Sequence, residues 1–391
     1  MTMTDTKAAF TALLKFVVEH IDIPLSYYQK AAVRHRSLGD WLCRRESRVA
    51  HLSPHVSPQG SFRYGTVIRP LTADAEYDLD NVTTLKLPKD AMTQRQLKDL
   101  YGLEIKDYAR AHDMCAPAEE KNRCWRLKYA DEVSFHLDTL PSVPEDAARI
   151  AALMAVGVPR DLAERAIAIT DRRHPLYDQK TLALLSSNPR GFARWFEQQA
   201  RPIAVSRIRQ LVESRAYATV DDVPPYEWKT PLQVAIQLLK RHRDVMFVDT
   251  PDLAPISMII TNLAAQAYRG EVDLGEALSN ILETMPSLVR PSAPRVPNPA
   301  DPAEDYADRW RQDPRLERSF WAWHAQAKAD VARLVRALGS GTLEVEVKRV
   351  FRLELTEAES RATGRLVSVV SAAPAPDIHI ASAPRPWGHG E

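Results

Sequence analysis

GSFRYGTVIRPLTADAEYDLD, residues Gly60 to Asp80, is the stretch on which the fold turns, because it sets a Gly-Ser turn ahead of two aspartates separated by one residue. Successive side chains of an extended strand point to opposite faces, so Asp78 and Asp80 share one side while Tyr77, Leu79 and Asn81 take the other. Their Cβ atoms then lie roughly 6.5 to 7 Å apart, and two carboxylates so placed repel each other unless positive charge stands between them. A pair of divalent cations about 3.5 to 4 Å apart is the usual answer in phosphoryl and nucleotidyl transfer. D-x-D alone is commonly a solvated pair, and Ser61 alone is commonly a turn or helix cap. Together they favour triphosphate binding: glycine lets the backbone approach a phosphate, and the amides and hydroxyl donate to its oxygens. Gly65 allows a second close approach before the apolar Thr66, Val67 and Ile68.

Upstream, Phe10, Leu13, Leu14, Val17, Val18 and Ile21 recur at helical spacing and predict an amphipathic first helix, followed by a second from Ser26 to about Ser47. Ser-Pro pairs at 53–54 and 57–58 then deliver the chain to Gly60. Downstream, the spacing predicts a helix over Gln94 to His112 and strands over Cys124 to Tyr129 and Val133 to Leu140. In the second of these, Val133, Phe135 and Leu137 alternate with Ser134, His136 and Asp138. Asp138 thus emerges on a polar face beside the D-x-D strand, either as a third metal ligand or as a solvent-facing residue before the Pro141 turn.

Short helices are expected at Ala147–Ala155 and Asp161–Ile169, and a capped packing helix within Ser186–Ala200, with Ser187 and Asn188 as caps more than as nucleobase contacts. Further helices are expected at Leu232–Phe247, Pro255–Tyr268, Leu274–Met285, Glu304–Trp310 and Leu316–Leu338. Pro291 to Pro302 reads as a loop, Thr342 to Leu355 as a short strand or irregular, and Ala372 to Glu391 as a mobile tail. An α/β first half and a helical second half make an α+β, bilobed chain, divided as 1–205, 206–371 and a tail from 372 to 391.

At 391 residues, 45% hydrophobic and 26% charged, the composition is that of a soluble globular protein. A formal net charge of +1 gives no footprint for a long nucleic acid. The cysteines, Cys43, Cys115 and Cys124, are odd in number and unpatterned, which suits a reducing compartment. His112, Cys115, Cys124 and His136 match no standard zinc spacing. No signal peptide or bilayer-spanning run is legible, and a cytoplasmic protein without a membrane partner is expected.

The ordered set GSFRYGTVIRPL, EYDLDNV, FHLDTLP, SSNPRGFARWF, LKRHRD, PISMIITNLAAQAY and NPADPAEDYADRW resembles the bacterial cGAS/DncV-like nucleotidyltransferases, the CD-NTase family of CBASS anti-phage signalling, over roughly residues 5 to 340. The resemblance implies a polymerase-β-like nucleotidyltransferase core with a mixed sheet, packed on an oligoadenylate-synthase-like helical domain. It implies condensation of nucleoside triphosphates, ATP among them, into a cyclic di- or trinucleotide that is passed to an effector. Carried over position by position, Asp78, Asp80 and Asp138 would hold two Mg²⁺ ions, for which Mn²⁺ could substitute. Gly60 and Ser61 would contact the donor triphosphate, Lys240 would reach a phosphate across the cleft, and Ser257 would supply a hydroxyl contact. Arg241 and Arg243 read as a solvated helix face. Some relatives have HORMA-type partners or a ubiquitin-like conjugation system acting on the C-terminus. Two other readings share these residues: a nucleotidyltransferase acting on an RNA, small-molecule or protein acceptor, and a catalytically silent scaffold.

Overall fold

Period-two alternation in β2 (Tyr77–Thr84), β4 (Trp125–Ala130) and β5 (Ser134–Pro144) builds the centre of a mixed sheet in the computed structural model, which describes residues 3–72, 75–130, 134–200 and 229–355. Together with β1 (His55–Gln59) and β3 (Glu119–Glu120) the spatial order is β1-β2-β5-β4-β3, with β6 (Ile167–Ile169) paired to β5 and β7 (Leu185–Ser187) paired to β6. β2 and β5 are parallel, and the other pairs in this sheet are antiparallel.

The apolar halves of these strands, Leu79, Trp125, Leu127, Phe135 and Leu137, are buried against α2 (Leu25–Cys43) and α4 (Gln94–Ala111) through Tyr28, Leu38, Leu97, Tyr101 and Ile105. α4 begins with a capping box: the Thr93 side chain accepts from the Gln96 amide, and the Gln96 side chain accepts from the Thr93 amide. On the opposite face Asp78, Asp80, Arg126, Lys128, His136 and Asp138 form a polar stretch available to chemistry, while Val82 and Leu140 pack against Ile167 and Ile169 of β6.

A second core joins α7 (Pro189–Ala200), α8 (Pro231–Met246), α9 (Ser257–Ala267), α10 (Leu274–Leu288), α11 (Pro314–Ala337) and α12 (Leu343–Phe351). The stripe of α1 (Met3–Ile21) packs here, through Phe10, Leu13, Leu14 and Val17, although it lies first in the chain. The two cores meet at α3 (Gly60–Tyr64): Phe62 lies against Tyr28 and Phe135 in the sheet core, and Tyr64 lies against Phe192 and Phe196 in the helical core. The expected division at 205 and 206 and the tail from 372 to 391 lie outside the described residues, as does Val133.

Several expectations need correction. Asp161–Ile169 is not one helix: a single turn, α6 (Arg160–Ala163), gives way to β6, because β5 runs past the end of β4 and offers Ser142 to Pro144 for pairing. Glu304–Trp310 is not helical at its start, where the strand Asp301–Asp305 pairs with Pro297–Asn298 and a 3₁₀ turn follows at Asp308–Arg311. There the Asp305 carboxylate accepts from the amides of Arg295, Val296 and Ala307, offering the backbone an alternative to a helix. Thr342–Leu355, expected to be strand or irregular, forms α12, whose Leu343, Val347, Val350 and Phe351 recur at helical spacing and are buried in the helical core. Ser187 lies on β7 and donates to Glu304 at 2.9 Å, whereas Asn188 does cap α7, its Oδ1 accepting from the Gly191 amide at 2.9 Å.

Candidate active site

Asp78 and Asp80 leave β2 on its polar face, and parallel pairing sets Asp80 directly opposite Asp138 on β5. The alternation expected for both strands is therefore met, and the three carboxylates share one surface. β1 delivers the chain into α3 beside them. Gly60 has φ +66, and a Cβ placed on it would lie 2.3 Å from Asp80 Oδ2, so the backbone of the Gly-Ser turn passes directly against the central carboxylate. Gly65 ends the turn with φ +68, and the amides of Gly65 and Thr66 both return to the Ser61 carbonyl. Gly60→Ala is expected to destabilise the fold by about 2 kcal/mol, from the left-handed backbone and the contact with Asp80 together, and denaturant unfolding measures this.

Charge is crowded here. Burial, then Asp78 and Asp138, push the Asp80 carboxyl up to about 7. The Asp78 carboxyl is also raised, by partial burial and by Asp138, although 65% of its side-chain surface is open. Arg126 on β4, paired in register with Asp138, answers part of this charge with Nε to Oδ1 at 2.6 Å and Nη2 to Oδ2 at 2.7 Å. His136 Nδ1 lies 3.7 Å from Asp78 Oδ1, and its Nε2 meets Glu76. Arg126 and Glu76 were not singled out from the sequence, and His136 was weighed only as a zinc ligand, not as a neighbour of Asp78. The signal for Arg126 lay in WRLKY, where Arg126 and Lys128 alternate with Trp125 and Leu127 as the polar residues of β5 do with their apolar neighbours, but its partner depended on how β4 and β5 pair.

Three neighbouring carboxylates, whose mutual repulsion Arg126 and Lys240 only partly offset at Asp80, supply the hard oxygen donors that a divalent cation takes. Among the described residues no three His, Cys, Asp or Glu side chains already converge on one point, since Asp138 is drawn toward Arg126. The zinc combination is likewise not assembled. Cys124 lies beside Asp138, where burial and that carboxylate push its thiol up to about 12, and His112 Nδ1 bonds the Tyr108 carbonyl at 2.9 Å on α4.

The remaining candidates lie on the helical side. Lys240 is buried on α8, its Nζ donating to the Thr66 carbonyl at 2.7 Å, and burial lowers its ammonium to about 7. Ser257 opens α9 and its Oγ accepts from Arg243 Nη1 at 2.7 Å. Arg241 and Arg243 are not a solvated face: Arg241 is buried and donates to the Arg69 carbonyl at 2.7 Å, and Arg243 also reaches the Pro255 carbonyl at 3.2 Å. Guanidinium groups can be buried where backbone carbonyls receive them, and those carbonyls come from segments distant in sequence.

Residues 54–141, which carry the Gly-Ser turn and all three aspartates, match the family model described as Cyclic GMP-AMP synthase DncV-like, nucleotidyltransferase domain. A c-di-GMP synthase of Roseivirga ehrenbergii is 27% identical over 321 residues, 81% of this chain and 77% of that protein. The solved structure of the Bradyrhizobium diazoefficiens CD-NTase CdnG in complex with GTP superposes with a TM-score of 0.61 at 24% identity, covering 93% of this chain and 99% of that one. The Escherichia coli MS115-1 CdnC:HORMA-deltaN complex gives 0.56 at 12% identity, covering 87% and 96%. No helix among the described residues is long and apolar enough to cross a membrane.

Proposed function

We propose, from the premise that the chain is a nucleotidyltransferase of the bacterial CD-NTase group, that it condenses nucleoside triphosphates into a cyclic dinucleotide messenger of anti-phage defence and releases pyrophosphate. The observation that carries this reading is the Asp80–Asp138 pairing across parallel strands, with Asp78 beside them and the Gly60 backbone against Asp80. The relative named c-di-GMP synthase favours a two-membered ring containing guanosine over a trinucleotide.

Asp78, Asp80 and Asp138 would hold two Mg²⁺ ions, with Mn²⁺ as a substitute. When bound, such ions neutralise charge on the pyrophosphate leaving group and lower the pKa of the attacking hydroxyl. The chain's own part is placement. Gly60 and Ser61 would bind the donor triphosphate through amides and hydroxyl, with Lys240 and Ser257 as contacts from the helical side once they exchange their present partners. Asp138 would orient the acceptor hydroxyl and accept its proton as that oxygen bonds to the α-phosphorus and the bridge to pyrophosphate breaks.

Arg126 occupies both oxygens of Asp138, so Arg126→Gln is expected to tighten Mn²⁺ binding in the absence of nucleotide by about tenfold, read by calorimetry. The effector, a HORMA-type partner such as the one in the CdnC complex, and a cytoplasmic location belong to the same proposal. Purified protein incubated with Mg²⁺ or Mn²⁺ and the four ribonucleoside triphosphates, followed by mass spectrometry, tests it. Linear or acceptor-linked products alone would overturn cyclic synthesis.

A further inference from the structure

Four side chains on one face of α8 hold the backbone just beyond the Gly-Ser turn. Gln233 Nε2 donates to the Tyr64 carbonyl at 2.8 Å, Lys240 Nζ to Thr66 at 2.7 Å, Gln237 Nε2 to Val67 at 2.6 Å and Arg241 Nη2 to Arg69 at 2.7 Å. Positions 233, 237, 240 and 241 recur at helical spacing, and all four side chains are buried. The second hydrogen of the Gln237 amide goes to Asp22 Oδ1 at 3.0 Å, beyond the end of α1, and the Arg69 amide donates to the Ile21 carbonyl at 2.7 Å. A surface loop would give these carbonyls to water; here the helical core supplies the donors.

Phe62 and Tyr64 anchor the side-chain faces of the turn in the two cores, and its backbone is short. α3 is five residues long, with a positive-φ glycine at each end, and the Ser61 carbonyl receives both the Gly65 and the Thr66 amide. The grip on Tyr64 to Arg69 therefore adds to the anchoring by Phe62 in fixing where Ser61 stands. We infer that Gln233 and Gln237 are positioning residues for the triphosphate-binding turn, by which the helical core sets where Gly60 and Ser61 stand relative to Asp80. The inference rests on the nucleotidyltransferase reading of that turn.

Gln233→Met and Gln237→Met keep side-chain length and remove the donors, and at 233 also the acceptor of the Thr230 amide at 2.8 Å in the α8 capping box. In the double variant the dissociation constant of a non-hydrolysable guanosine triphosphate analogue with Mg²⁺, and the KM for triphosphate, are expected to rise about tenfold, with kcat within about threefold. Asn280→Ala removes bonds to the Ala267 carbonyl and to Glu271 in the same core, away from the turn, and is expected to leave both constants unchanged. Should the double variant not fold, Gln233→Met alone is expected to give about threefold. Wild-type affinity and KM in a folded variant would overturn the inference, as would an equal rise in Asn280→Ala. Failure of the wild-type protein to bind any triphosphate would instead overturn the nucleotidyltransferase reading. Hydrogen exchange at amides 61–69 without nucleotide then still decides the grip: faster exchange in the double variant supports it, and unchanged exchange overturns it.

Discussion

Asp80→Asn is expected to lower product formation by on the order of a thousandfold or more, the equivalent of several kcal/mol of transition-state stabilisation at about 1.4 kcal/mol per tenfold. Asp80 is the middle carboxylate of the site, beside Asp78 on its own strand, opposite Asp138 on the neighbouring one, and against the Gly60 backbone. Asparagine keeps its shape and hydrogen-bonding reach but removes the charge that a divalent cation requires. The melting temperature is not expected to fall, because the substitution takes a buried negative charge away from two others. Mass-spectrometric product assay together with a thermal melt checks both halves. A folded variant within tenfold of wild type would show that Asp80 is not a metal ligand.

Asp330→Asn is expected to cost about 3 kcal/mol of stability at pH 7, because it removes one partner from a buried charged network. Asp330 on α11 receives His242 of α8 at 3.1 Å, Arg349 of α12 at 2.6 Å, and Gln326 and Arg333 of its own helix at 2.9 and 3.3 Å. Burial alone would raise its carboxyl; the hydrogen bonds from His242, Arg349 and Gln326 outweigh that and hold it well below the usual range. A depressed carboxyl contributes stability that is fully present above its unfolded value, about 3.9, and lost as pH falls through the folded one. The deficit of Asp330→Asn relative to wild type should therefore be largest near neutral pH and narrow below about pH 4. Guanidinium unfolding at pH 7 and pH 3 measures it; equal deficits at the two pH values would refute the assignment. The same residue ties together three helices, among them the one that grips the Gly-Ser segment.

How much of this was legible beforehand varied with the range of the deciding force. Asp78 and Asp80 could be placed on one face, and Asp138 on the polar face of its own strand, because alternation is a property of a single strand, whereas setting Asp138 opposite Asp80 took the pairing of β2 with β5. The first helix was legible from its stripe for the same reason, but its membership in the helical core was not, because an apolar stripe does not say which surface will cover it. β6 was hidden because its three residues become a strand only when β5 presents an edge to them. α12 was hidden because its valines carry a β preference that burial on the helical core overrides.

Within the site, the sequence by itself determined the carboxylate pair, the glycines that let the backbone approach them, and the polar faces of β4 and β5. These follow from residue type and local geometry. Only the tertiary structure decided that Arg126 holds Asp138, that Lys240 faces the Thr66 carbonyl, and that Arg241 is buried on the Arg69 carbonyl. Each joins groups that are neighbours only after the chain has folded, and a long flexible cation takes whichever partner the packing brings within reach.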